Sequence, residues 1–159
     1  MSDIQPAEKA EAAPDRVLAT RLGFAGVIPF VVLSLWLAAI PVDHVWRAMT
    51  VALLTTYSAL VLSFLGGARW ALAVAGSYAQ ARRDIAISVV PALLGWVVLF
   101  LPPHIALVLL AVAFAAHGAW DAFSGQSGVL PVWFARLRTQ LTAIAVISMI
   151  IAFAATAAG

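Results

Sequence analysis

Two charged residues lie within or at the end of long apolar segments and are the first candidates for chemistry. Arg69 follows an uncharged run that begins at Ala48, and Asp121 ends another apolar run that begins at Ile105. An arginine in a membrane helix costs about 2.5–3.5 kcal/mol to insert, so a carboxylate at matching depth is expected to neutralise it. We therefore expect Arg69 and Asp121 to form an ion pair, and an exchange of the two residues to preserve stability. The alternative is that Arg69 extends to the lipid headgroups without a partner.

His117 and Arg138 complete the predicted polar cluster. His117 lies in the same apolar run as Asp121, where a hydrogen-bonded interior histidine is the ordinary interpretation and a proton relay is the alternative. Arg138 lies near the start of the last apolar run. We expect Arg69, Asp121, His117 and Arg138 to form an intramembrane cluster, either as structural ion pairs or as part of a substrate or proton path.

Other familiar chemistries have no support in the sequence. The chain has no cysteine, and Lys9, its single lysine, lies outside the apolar runs. His104 and His117 are about 20 Å apart if they share one helix, which is too far to bind one metal ion. Nucleotide-binding loops, metalloprotease motifs and serine nucleophile motifs are also absent. The sequence therefore predicts a protein that is not an enzyme and has neither a metal site nor a cofactor.

The composition places the chain in lipid. Its 159 residues are 64% hydrophobic and 10% charged, whereas a soluble domain has about 25% charged residues. A water-soluble domain cannot cover that much apolar surface. The net charge of +2 does not indicate nucleic acid, because no run of cations forms a basic face. The expected partners are the lipid bilayer and a membrane protein or second copy of the chain. Residues 1–15 are polar and predict a disordered tail.

The apolar runs predict an all-α bundle of five membrane-spanning helices in a domain of residues 16–159. Each run has about the 20 residues that one crossing requires. Clusters of Gly, Pro and Ser separate the runs and predict the turns. The five helices are expected at about 19–41, 46–75, 84–102, 104–122 and 132–157.

The distribution of cations predicts the orientation. Seven of the nine cations flank the side that holds the N-terminus: Lys9, Arg16, Arg21, Arg82, Arg83, Arg136 and Arg138. The other side has only Arg47, so the N-terminus is expected in the cytoplasm and the C-terminus outside. The first fifteen residues include four acids, which is unlike a mitochondrial presequence. We therefore expect a bacterial inner membrane.

A ladder of small residues lies along the second predicted helix. Ala59, Ser63, Gly67 and Ala71 recur every four residues and therefore share one helix face. Small side chains allow helix backbones to approach closely in lipid. Arg69 lies on a different face, so the sequence predicts that this helix is central and packs on two sides.

Several ordered motifs resemble an uncharacterised five-helix membrane family, the domain of unknown function 3429 family, which has an animal member called transmembrane protein 69. The motifs are LGFAGVIPF at Leu22 to Phe30, SFLGG at Ser63 to Gly67 with Tyr57 before it and Trp70 after it, SVVPALLGW at Ser88 to Trp96, and Asp121 followed by LPVWF at Leu130 to Phe134 and LRTQLT at Leu137 to Thr142. The resemblance implies no activity. It does imply that Asp121, Arg138 and the Gly66-Gly67 segment are family features.

The functional expectation is an integral inner-membrane protein that is transporter-like or lipid-interacting, with its polar cluster on the cytoplasmic side. The alternative is an accessory or assembly subunit that binds another membrane protein. A transporter predicts a polar cavity around the cluster, whereas an accessory subunit predicts a packed interior and an exposed face of small or aromatic residues.

Overall fold

A computed structural model describes residues 15–76 and 78–157, which form six α-helices and, over those residues, no β-strand. The helices are α1 (Arg16–Ala39), α2 (Arg47–Ala75), α3 (Ala81–Ile87), α4 (Val90–Val98), α5 (Pro103–Gln126) and α6 (Val132–Ala157). The predicted tail lies outside the described residues except for Asp15. This residue caps α1, because its side chain accepts a hydrogen bond from the Leu18 N–H at 2.9 Å.

Four of the helices, α1, α2, α5 and α6, are long enough and apolar enough to cross a membrane. They form a ring in which α2 packs on α1 and α5, and α6 packs on α5 and α1. Large apolar side chains such as Phe64 and Phe100 are more than 70% exposed on the outside, whereas Ser34 and Ser58 are fully buried. This distribution suits a bundle whose solvent is lipid.

The predicted third helix is not continuous in the structure. Two short helices, α3 and α4, replace the continuous helix expected at 84–102, and α4 contacts both α2 and α5. The break falls at Ser88 and Val89 because Pro91 has no N–H to donate to the preceding turn and its ring crowds that turn. At the other end, the N–H groups of Leu99 and Leu101 bond to carbonyls three residues back, so the helix tightens before Pro102.

Glycines at the contacts bring α2 and α4 together. A Cβ added to Gly66 would lie 2.5 Å from the carbonyl oxygen of Ser88, and one added to Gly95 would lie 2.9 Å from the carbonyl oxygen of Ala59. Ala59 and Ser63, from the predicted small-residue ladder, lie on this contact. Gly67 and Ala71, from the same ladder, are exposed instead. Each residue advances about 100° around the helix, so the close approach uses Gly66 and leaves its neighbour facing outward.

Two further glycines bring α5 and α6 together. A Cβ added to Gly118 would lie 2.6 Å from the Thr142 side chain, and one added to Gly125 would lie 2.5 Å from the Ala135 side chain. The two glycines are seven residues apart and therefore lie on one face of α5. Their lack of side chains lets α6 lie against α5 over at least two turns.

The pair Gly66 and Gly67 provides a matched test of this packing. We expect Gly66→Ala to lower the apparent unfolding temperature in detergent, because the new methyl group meets a backbone carbonyl that cannot move independently. Gly67→Ala meets nothing within 4 Å, so it is expected to be neutral or to stabilise by up to about 1 kcal/mol through helix propensity. Equal unfolding temperatures for the two variants would contradict the close α2 and α4 contact.

Candidate functional site

The carboxylate of Asp121, on α5, lies between two arginines from different helices. Arg138 Nε, on α6, donates a hydrogen bond to Asp121 Oδ2 at 2.7 Å. Arg69 Nε, on α2, lies 3.5 Å from Asp121 Oδ1. Asp121 is only 2% exposed. Among the described residues, no other acid lies within 4 Å of the Arg69 or Arg138 guanidinium. Three helices therefore meet at one carboxylate.

Arg69 lies inside the bundle and does not extend to the headgroups. Its side chain is 5% exposed, and its guanidinium carbon lies 4.2 Å from the centre of the Trp120 ring. This distance is within the range of a cation–π interaction. Its Nη2 donates to the hydroxyl of Ser124, while its Nη1 has no hydrogen-bond partner among the described residues.

His117 extends the cluster by one helical turn. Its Nδ1 lies 3.4 Å from Asp121 Oδ2 and 3.4 Å from Arg138 Nη2. The ring is nearly fully buried, and its Nε2 has no hydrogen-bond partner among the described residues. The structure therefore brings together all four members of the predicted cluster, Arg69, His117, Asp121 and Arg138.

The local sequence of α5 explains this arrangement. His117, Asp121 and Ser124 are spaced by four and three residues, so their side chains share one helix face. Gly118 and Gly125 bring α6 close to α5, so that Arg138 reaches the carboxylate. On the α2 side, Arg69 reaches the same face of α5. The cluster thus depends on the register of three helices.

Two contributors to the site were not identified from the sequence. Ser124 lies beyond the predicted end of the fourth helix at about residue 122, but α5 continues to Gln126 and places the Ser124 hydroxyl beside Arg69. Trp120 lies within the predicted fourth helix, and its ring faces the Arg69 guanidinium. Ser124 could have been identified from the sequence by its spacing from His117 and Asp121. The three residues form one polar face if the helix continues beyond residue 122. The position of the Trp120 ring depends on the contact with α2, which no local spacing in the sequence reveals.

Asp84 is a second buried acid near the same end of the bundle. It lies on α3, is 5% exposed and accepts a hydrogen bond from the Tyr78 hydroxyl at 3.1 Å. The pKa of Tyr78 is raised above its ordinary value, mainly by desolvation and to a smaller extent by this hydrogen bond. Asp84 stands at the predicted start of the third helix. Its hydrogen bond with Tyr78 connects the segment before α3 to that helix.

Two apolar grooves lie next to the cluster. The Arg138 groove has a volume of about 450 Å³ and includes Gly23, Gly26, Phe30, Tyr57, Arg138 and Leu141 in its lining. The His117 groove has a volume of about 540 Å³ and includes Arg83, Pro91, Leu94, Val112, His117 and Trp120 in its lining. Each groove therefore has one member of the polar cluster in an otherwise largely apolar wall.

The remaining histidines lie at the opposite end of the bundle. His44 and His104 both line an open cavity of about 610 Å³, together with Arg47 and Thr156. Over the described residues, no group of three or more His, Cys, Asp or Glu side chains is arranged to hold a metal ion. The cluster around Asp121 is therefore the candidate functional site.

The shared carboxylate changes the expected result of mutating the cluster. We expect Asp121→Asn to be the most destabilising single change, by about 3–5 kcal/mol, because it leaves two buried guanidinium groups without a counter-charge. Adding Arg138→Gln is expected to recover part of the loss. The exchange of Arg69 and Asp121 is expected to fail, because it places an arginine beside Arg138. Unfolding midpoints in detergent measure all three, and recovery by the exchange would show that Arg69 and Asp121 form an isolated pair.

Comparison with known proteins agrees with the architecture. The family model described as "Protein of unknown function (DUF3429)" matches residues 16–154. The chain is 35% identical over 136 residues to Transmembrane protein 69 of Xenopus tropicalis, and the match covers 81% of the chain. It spans 51% of that relative, so the chain matches about half the length of this curated protein. No solved structure matches the chain. The chain thus belongs to the DUF3429 family of membrane proteins, whose function is unknown.

Proposed function

We propose that the protein is a non-catalytic component of the bacterial cytoplasmic membrane that binds an anionic lipid in the Arg138 groove. One observation carries the proposal: Arg138, which pairs with Asp121, also lines an apolar groove at the bundle surface. Leu22 and Phe64 line the same groove and are more than 60% exposed, so the groove opens toward lipid.

The charge of the site favours an anion. Arg69 and Arg138 share one carboxylate among the described residues, so these three groups have a net charge of +1. Nε and Nη2 of Arg138 contact Asp121 and His117, which leaves Nη1 without a hydrogen-bond partner among the described residues. A lipid phosphate would satisfy this donor and balance the charge. The exposed Arg21, one residue before Leu22, adds a cation at the same end.

The length of the groove suits one acyl chain. Its lining extends along α1 from Ala19 to Phe30, a distance of about 16 Å at 1.5 Å per residue. That is about half the thickness of the hydrocarbon core and therefore one leaflet. The polar cluster beside the groove is nearly closed to solvent, which supports a fixed binding site over an open transport path.

We also propose that the chain crosses the membrane five times, with the N-terminus in the cytoplasm. The two helices α3 and α4 together cover residues 81–98, which are 18 residues from end to end. This length corresponds to about 27 Å and matches the hydrocarbon core despite the break at Ser88 and Val89. Arg47, the cation assigned to the outer side, is occupied by backbone carbonyls at the ends of α1 and α6. These hydrogen bonds fix Arg47 at the helix ends, and the positive-inside orientation is supported by the one cation on that side against seven on the other.

Single cysteines can test the orientation, because the natural chain has none. We expect a membrane-impermeant maleimide to label Val45→Cys in intact cells, since this residue is 84% exposed in the loop before α2. Gln126→Cys, at the exposed end of α5, is expected to react only after the membrane is permeabilised. The reverse labelling pattern would overturn the orientation, and labelling of both residues in intact cells would also contradict it.

Filling the Arg138 groove tests lipid binding without removing a member of the cluster. Gly26 lines the groove, and a Cβ there would meet nothing within 4 Å, so Gly26→Leu is expected to fold and occupy the groove. Gly67→Leu is the matched control, because Gly67 is also unobstructed but does not line the groove. We expect native mass spectrometry, from vesicles of phosphatidylglycerol and phosphatidylethanolamine, to find bound phosphatidylglycerol on the wild type and on the control. Gly26→Leu should retain about tenfold less.

Two results of that experiment would refute lipid binding in the groove. The first is equal retention of the two lipids by the wild type, and the second is unchanged phosphatidylglycerol on Gly26→Leu. The experiment also addresses the second candidate, an accessory subunit. Gly67 and Ala71 are exposed small residues on one face of α2, where a partner helix could approach closely. Loss of a co-purifying membrane protein from Gly67→Leu, with lipid retained, would favour that candidate.

A further inference from the structure

The His117 groove contains a polar atom that the cluster leaves unused. His117 is 4% exposed, and its Nε2 has no hydrogen-bond partner among the described residues. Nδ1 contacts Asp121 and Arg138, so Nε2, on the far side of the ring, points away from these ion pairs. His117 also lines the groove between α4 and α5. A buried polar group without a partner is destabilising, so this ring is poised to bond a ligand.

The arginine beside His117 determines which kind of partner suits Nε2. Nδ1 lies 3.4 Å from Arg138 Nη2, which can only donate, and 3.4 Å from Asp121 Oδ2, which can only accept. In a neutral ring, the first contact is a hydrogen bond when the proton is on Nε2, and the second is one when the proton is on Nδ1. Because Asp121 Oδ2 already accepts a hydrogen bond from Arg138 Nε at 2.7 Å, we assign the proton to Nε2, which makes the unused group an N–H donor that suits an acceptor such as a carbonyl oxygen.

The walls of the groove restrict the shape of the ligand. Pro91, Leu94 and Val112 form an apolar section toward the middle of the bundle, while Trp120 and Phe123 lie on the other side of His117 along α5. Aromatic side chains of this kind stack on flat rings. The volume of about 540 Å³ is within the range of small-molecule sites. A flat head beside the aromatic side chains and an apolar tail along α4 would fill this shape.

We propose that the His117 groove binds a membrane-dissolved quinone, with one ring carbonyl accepting a hydrogen bond from His117 Nε2. The ring lies beside Trp120 and Phe123, and the tail lies along Pro91 and Leu94. Because Nε2 is closed to solvent, the oxygen reaches it through a small separation of the groove walls. This groove shares no lining residue with the Arg138 groove, and the proposal does not rest on lipid binding there.

Nitrogen NMR of histidine-labelled protein tests the hydrogen bond directly. The protein is placed in nanodiscs of a diether phosphatidylcholine, which has no ester carbonyl, and decylubiquinone is added. We expect the Nε2 resonance of His117 to shift, while those of His44 and His104, at the opposite end of the bundle, stay in place. The His117 signal is assigned by its loss in His117→Gln. No shift at saturating quinone, or a shift produced by diester lipid instead of quinone, would overturn the proposal.

Quinone affinity provides the second measurement, through quenching of tryptophan fluorescence. We expect His117→Phe to bind decylubiquinone about tenfold more weakly, which is the effect of one lost hydrogen bond. Ala116→Phe fills the groove without touching the cluster and is expected to abolish saturable quenching. Ala115→Phe is its control, because Ala115 is exposed but does not line the groove. If the Ala116→Phe and Ala115→Phe variants bind decylubiquinone with equal affinity, the site is refuted. This comparison holds even if His117→Phe does not fold.

Discussion

The carboxylate of Asp121 is the point at which three of the long helices meet. It is buried in a bundle surrounded by lipid, where a single charge without a partner is expensive. Arg138 from α6 and Arg69 from α2 both approach it, so neither helix can rotate or slide without breaking a buried ion pair. The short distance to Arg138 requires the close packing at Gly118 and Gly125. Packing and charge therefore specify the same register.

This arrangement places the cluster between two grooves with different chemistry. Arg138 contributes a guanidinium to one groove, and His117 contributes an imidazole ring to the other. The two side chains contact each other and share the oxygen Oδ2 of Asp121. A ligand that changes the bonding of one group therefore changes the electrostatic surroundings of the other. The two grooves are therefore connected through the contacts within this one compact cluster.

Much of the site was predictable because charged residues in apolar segments are rare and must find partners. Arg69, His117, Asp121 and Arg138 were assigned to one cluster on that basis, and the structure brings them together. The preference among partners was not predictable, since Arg138 is closer to Asp121 than Arg69 is. Gly66 and Gly67 illustrate the same limit. They are neighbours in sequence, but only Gly66 faces α4.

The helical class, the lipid surroundings and the residues that cannot face lipid alone could all be predicted from the amino-acid sequence. These properties follow from composition and run length, which act on each segment separately. The folded bundle was needed to show which helices are neighbours, where the predicted third helix breaks, and which face of α2 makes the close contact. Those features depend on the rotation of each helix about its axis and on the separation of helix pairs. Both are set by atoms from different segments that meet only after folding.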